Sequence, residues 1–516
     1  MSNRNKLTTR PFMFRVKSVL GKLISKIQLS RLDFVLIITV AIISLTGALF
    51  GEKILVKDGL GYDGNTYGWI AKKVSLKDIF LQRVDSYYIQ RVFPSQIVRY
   101  TLQLFQLPLT TPNIVLGFAM LNVGLLVLSS LAWCLICNRM KIGPAGKLVG
   151  FLGIFGSFAL TKWVSFYPVL TDVSGFAISI GMLYFYLSNN RVCLLLLTIV
   201  GAFTWPILLY EGTLFLLFRK DESGLETKWS SAPRHLNFWV ALVTSFLLLF
   251  GLVWAVFHPN PDFPEPPYEP LLPISIFVTL LFWFYALVPL LDVNRFFDPK
   301  YWLKNFRSAT WLAVLLCVLG VKIIQRQISV PSPIMTNLVS NILLEPIVTP
   351  GVFFVAHVFF YGPIVLLALF WWKPMTHFIQ RYGLGLTLNV LLGLFIFLAS
   401  ESRIAINVFP LFVLPIAQVA NSYRLRPSTL VLFIILTIGF SRVWLSLNNV
   451  PYIFSHLFSL FFPNQVFENA VGSEAPNIFY WMSSGPWMSY KMYVLEAVIV
   501  VIVGCLLYFS LRRTAR

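Results

Sequence analysis

Apolar residues fall in long runs separated by short polar breaks, at about 32–50, 113–136, 148–167, 172–189, 236–257, 272–292, 309–325, 351–372, 383–399, 404–420, 429–447 and 492–511. Each is near the roughly 20 residues an α-helix needs to cross the hydrocarbon core. The pattern predicts an all-α polytopic membrane protein with about 12 transmembrane helices. A further apolar segment, 192–218, is long for one span and carries Pro206 near its middle. Arg191 precedes it, and Arg219 and Lys220 follow it. A re-entrant pair of short helices satisfies both basic flanks, whereas a single kinked span would invert everything downstream.

Charge orients the runs. Residues 1–31 hold eight Lys/Arg and no acid, with Val16, Leu20, Leu23 and Ile27 at helical spacing, which reads as a cytoplasmic basic amphipathic helix. Alternation then places the basic breaks 137–147, 293–308, 373–382 and 421–428 on the cytoplasmic side, together with the tail 512–516. Lys147 counts there as a loop charge. The acidic stretch "HPNPDFPEPPYEP" falls outside, as the positive-inside rule requires. Residues 32–511 thus form one transmembrane domain, with large extracytoplasmic regions at 51–112, 326–350 and 448–491. The reading corresponds to an inner-membrane protein with both termini in the cytoplasm.

Composition agrees. Hydrophobic residues make up 57% and charged residues 12%, about half the charged share of a soluble chain. The formal charge of +20 suggests no nucleic acid here, because the basic residues cluster in short breaks between apolar runs. The five cysteines lie in apolar runs and read as free buried thiols. No metal-binding, P-loop or serine or cysteine nucleophile motif is present, so no cofactor is expected, and a divalent metal has no support.

The first outer region is the most unusual. It carries eight Lys/Arg against five acids, the wrong sign for an outside loop, which invites an anionic ligand. In "GYDGNTYGWIAKK", Asp63 stands between glycines that permit a sharp turn and a close ligand; alternatively it caps an interfacial helix. In "DSYYIQRVFP", Arg91 suits a phosphate or else snorkels, and Tyr87, Tyr88 and Gln90 offer stacking or hydroxyl contacts. Asp172 in "YPVLTDVSG" shares the outer side but is equally explained as a helix cap. Glu401 and Arg403 in "ASESRIAINVFP" are either site residues or a mutual salt bridge at a helix end. Glu211 lies within an apolar segment, a costly place that marks function unless the re-entrant pair exposes it.

Taken together, "GYDG", "YYIQRVFP", "YPVLTDVSGFAISIGMLYFYL", "WPILLYEGTLFLLF" and "ESRIAINVFPLFVLP" resemble the GT-C superfamily of polytopic glycosyltransferases. The likeness is clearest over 55–220 and around 400–415, and closest to bacterial members dependent on polyprenyl-phosphate sugars. It implies transfer of a sugar from a polyprenyl-phosphate donor to a glycan, lipid or protein acceptor on the outer face. By that resemblance Asp63 serves as general base or acceptor-orienting group and Asp172 as a further catalytic acid. Arg91 and Arg403 hold the carrier phosphate. Burial would raise the Asp63 carboxyl toward working pH, and direct displacement would invert the anomeric carbon. Asn65 and Gly68 stand where the pattern often has glutamine and tyrosine. The competing reading is a transporter, flippase or polysaccharide polymerase; a transporter should show paired broken helices, and only one break is legible.

Overall fold

The computed structural model describes residues 29–81, 84–218, 220, 234–258, 268–291, 308–332, 334–423, 425–448, 488 and 490–512. Nearly all of the predicted amphipathic N-terminus 1–31, of the basic break 293–308 and of 448–491 lies outside them. The described residues are mostly helical and form no strand; Asp85 and Val330 meet in an isolated bridge.

The all-α class holds, but twelve spans are not confirmed. Among the described residues, five helices are long and apolar enough to cross a membrane, or up to seven if each of two bent pairs is one span. The run 309–325 lies in the 20-residue helix Ser308–Gln327, and other predicted runs form shorter helices, such as Asp172–Leu187, Leu384–Ile396, Phe409–Ser422 and Pro427–Ser441. Hydropathy cannot see the interruptions that shorten them. The run 148–167 bends by 52° between Pro144–Phe155 and Ala159–Phe166, through a π-helical turn. The run 351–372 breaks at Gly362, whose φ of +84° ends Val352–Tyr361. The region 326–350 is not an open loop: its helix continues through Glu345–Ile347 and meets Val352–Tyr361 at 100°.

The segment 192–218 is a helical hairpin, as the re-entrant reading expects. Arg191–Ala202 and Pro206–Leu217 pack back on each other, residue for residue about the turn. A Cβ on Gly201 would lie 2.8 Å from Leu208 Cβ, and one on Gly212 only 2.1 Å from Thr198 Oγ1. Each arm is about 18 Å long, short of the roughly 30 Å hydrocarbon core. Pro206 causes no kink because it opens the second arm, where its missing N–H is not needed.

Hydrogen bonds sort the helix ends into two layers. In one, Ile54 N–H donates to Phe166 O, Phe93 N–H to Phe203 O and Val330 N–H to Val84 O. Glu52 there accepts from Ser446 and from the Leu447 and Asn448 amides. In the other, Arg139 reaches Leu187 O, Gly143 N–H reaches Asn421, and Thr429 meets Ser510. The start of the first long helix and the end of the last share this second layer. Lys147 belongs there too, but not on a loop: it is buried within Pro144–Phe155, 2.5 Å from Asp33 Oδ1 and 2.7 Å from Asn138 Oδ1. Outward apolar side chains such as Phe246, Leu247 and Phe250 need lipid cover, as in an integral membrane protein.

Candidate functional site

Five segments build the site in the first layer: 61–67, 85–91, 167–172, the hairpin turn at 203–205, and 400–407. The glycines of "GYDG" serve packing. A Cβ on Gly61 (φ +65°) would lie 2.4 Å from the Tyr167 ring, and Gly64 N–H donates to Tyr167 Oη at 3.0 Å. The close neighbour is therefore Tyr167 rather than a ligand. Gly68 makes room for Leu60, so a tyrosine has no space at that position.

Asp63 opens the helix Asp63–Lys73, yet it makes no capping bond. Its carboxylate instead takes a bond of 2.8 Å from Arg403 Nη2, and Arg403 also donates to Glu401. The mutual salt bridge of Glu401 and Arg403 is thus real, and Asp63 extends it across 340 residues of sequence. Burial pushes the Asp63 carboxyl up, but Arg403 and then Arg91 outweigh it and hold the group below the ordinary aspartate range. That overturns the expectation of a raised value: a carboxylate so paired is a fixed anion and a weak base.

Arg91 is buried, at 6% exposed, and does not snorkel. Its guanidinium lies between the rings of Tyr87 at 4.2 Å and Trp205 at 4.0 Å, and donates to Tyr67 Oη at 3.1 Å. Its Nε has no partner, and no carboxylate makes an ion pair with it among the described residues. A stacked, desolvated guanidinium lacking a counter-ion is poised to take an anion. Two other basic residues of the first outer region have local duties: Arg99 donates to Ala71 O and Lys72 O at a helix C-terminus, and Lys53 to Gly47 O and Gly51 O. The excess positive charge there is thus partly structural.

Asp172 caps nothing. It is 2% exposed, and both carboxylate oxygens lack a partner. Arg403, Arg91, Glu401 and Asp63 all lie within its electrostatic reach. Asp63, Arg91, Asp172 and Arg403 therefore do converge. Tyr87 and Tyr88 meet edge to face, and Tyr88 meets Tyr67 likewise, so Tyr88 acts as a wall behind Arg91. Gln90 is buried and its amide donates to Ser86 O, which ties the short helix together rather than facing a ligand.

Glu211 stands apart. It accepts from Ser179 Oγ at 2.7 Å, and its backbone carbonyl accepts from Asn389, with no electrostatic partner in the cluster. Other members escaped sequence reasoning. Trp205 reaches Arg91 only because the hairpin turn rises beside it. Glu345 is buried and accepts from Ser400 Oγ and the Glu401 amide, so it anchors the turn that carries Arg403. His357 and Tyr361 hold the same turn through Ser402. Only the rarity of a buried acid could have flagged Glu345 beforehand.

No family model, curated protein or solved structure matches the chain. The geometry is left to speak for itself. Among the described residues, no group of three or more His, Cys, Asp or Glu could hold a metal ion.

Proposed function

We propose that this chain is a membrane glycosyltransferase that moves a sugar from a polyprenyl-phosphate donor to an acceptor on the extracytoplasmic face. One observation carries the reading: a stacked, buried guanidinium without a counter-ion, Arg91, beside an unpaired buried carboxylate, Asp172. Transfer from a phosphate carrier needs both an anion holder and a free base. Arg91 holds the carrier phosphate and stabilises the charge that grows on it as the glycosidic bond breaks. Arg403 is already neutralised by Asp63 and Glu401, so its part is to fix those carboxylates and to contribute a second, weaker pull on the phosphate. Asp63 orients the acceptor as an anion. Direct displacement inverts the anomeric centre.

The assay incubates the purified chain in lipid nanodiscs with polyprenyl-phosphate sugars and follows release of polyprenyl phosphate. Turnover lost in Asp63→Asn supports the reading. No turnover with any donor, or full turnover in that variant, sinks it. The two additional bent helix pairs favour transport as a second reading, since broken helices line substrate paths. Carrier-dependent flux of intact lipid-linked sugar across a vesicle, with no bond cleavage, would select it.

A further inference from the structure

Asp172 does not stand alone as a group without a partner. Asn407, fully buried, has neither its Oδ1 nor its Nδ2 engaged, and Thr171, fully buried, leaves its Oγ1 free. Asp172 adds two unpartnered carboxylate oxygens. All three sit at one place. Thr171 and Asp172 begin the helix Asp172–Leu187, and Asn407 presses on its first turn, where a Cβ on Gly175 would lie 2.0 Å from Asn407 Oδ1. Gly175 N–H in turn bonds Thr171 O, so the glycine holds the turn closed while leaving room for the amide.

A buried polar group without a partner costs about 1–3 kcal/mol, and native proteins tolerate few of them. Five such atoms in one turn therefore call for a ligand. Their chemistry is mixed: Asp172 and Asn407 Oδ1 only accept, Asn407 Nδ2 only donates, and Thr171 Oγ1 does both. A hydroxyl, which donates and accepts at once, matches that set. Charge narrows the choice further. Among the described residues, the carboxylates of Asp63, Asp172 and Glu401 face two guanidiniums, those of Arg91 and Arg403, and a donor phosphate would add negative charge.

We infer that Thr171, Asp172 and Asn407 form the acceptor subsite, and that it takes a neutral, hydroxyl-rich saccharide rather than an anionic one. Its catalytic half rests on the transfer reading above. There the acceptor oxygen bonds to the anomeric carbon while its proton passes to an Asp172 oxygen. The carbon–oxygen bond to phosphate breaks, and its electron pair leaves with polyprenyl phosphate. Asn407 and Thr171 touch the neighbouring hydroxyls.

The test titrates neutral methyl hexopyranosides and neutral oligosaccharides, and the matching uronates, into the full chain in nanodiscs and follows thermal unfolding. Wild type should be stabilised by a neutral saccharide and at least about tenfold less sensitively by its uronate. Asn407→Leu and Asp172→Asn should each weaken the neutral saccharide about tenfold or more. Gly175→Ala should do the same by displacing Asn407. If Asn407→Leu does not fold, Thr171→Val replaces it. Stabilisation by no neutral saccharide, as when the groups bind only water, overturns the subsite, as does equal binding in these variants. Release of polyprenyl phosphate is measured beside it. Saccharide binding that depends on Asn407 without turnover ends the transfer reading and leaves the subsite; turnover and saccharide response both unchanged in Asn407→Leu and Thr171→Val end the subsite and leave the transfer reading.

Discussion

Arg91 offers the sharpest test, because a structural and a functional arginine answer substitution in opposite ways. The guanidinium is buried, stacked between Tyr87 and Trp205, and has one hydrogen bond to Tyr67 but no counter-ion. Two cation–π contacts contribute about 0.5–2 kcal/mol each and the hydrogen bond about 1 kcal/mol. Against these stands the desolvation of an unpaired cation, several kcal/mol. Attraction to Asp63 and Asp172 adds to the favourable side, so the sum is close to zero and Arg91→Gln should leave the unfolding temperature of the empty protein little changed. Bound phosphate changes the balance. Charge-assisted bonds contribute about 1.5–3 kcal/mol, which is about 10- to 100-fold in donor affinity. Arg91→Lys keeps the charge but has no planar face for the two rings, and should fall between. Melting in nanodiscs and titration with a polyprenyl-phosphate sugar read the two quantities. A large drop in melting temperature with donor affinity unchanged would refute the reasoning and make Arg91 a packing residue.

Asp63→Asn should abolish most turnover and also flatten the acid limb of stability. The Asp63 carboxyl is held low against the pull of burial, so its ion pair stabilises the fold above the unfolded value near ~4 and is lost as pH falls below it; acid titration of both proteins by circular dichroism checks this. Lys147→Met leaves Asp33 buried without its cation and should cost about 3–5 kcal/mol, while Asp33→Asn with Lys147→Met recovers much of the loss in a double-mutant cycle. Gly212→Ala drives a methyl into Thr198 and should destabilise the hairpin by about 1–3 kcal/mol, visible as faster proteolysis near residue 204; an unchanged melt would rule out tight packing of the arms. In a background free of cysteine, Tyr100→Cys should react with an impermeant maleimide from outside and Lys141→Cys only after the membrane is opened. The reverse labelling would invert the topology.

Much of the architecture was legible because hydropathy is a local property. Twenty apolar residues leave the chain few choices besides a helix, since lipid offers no partner to a bare backbone. Basic breaks then ordered the ends, and the two layers of hydrogen bonds follow that order from Ile54 and Phe166 to Thr429 and Ser510. The hairpin at 192–218 was legible for the same reason, through Pro206 and its flanking charges. Breaks made by geometry rather than composition were not. The π turn at Ala159–Trp163 and the positive φ of Gly362 leave mean hydropathy untouched, so hydropathy alone did not locate them.

The site divides along the same line. The sequence by itself determined the residue types at Asp63, Arg91, Asp172 and Arg403, and from them the expectation of an anion and a proton on one side of a membrane. Which carboxylate is paired and which is free depends on partners hundreds of residues away, and only the tertiary structure decided it. Arg403 reached Asp63 and Glu401 and passed Asp172 by. The hairpin lifted Trp205 onto Arg91, and Tyr167 took the space that two glycines had seemed to keep for a ligand. A side chain's charge is written in its identity. Its acidity and its freedom to react are set by what folding brings within a few ångströms of it.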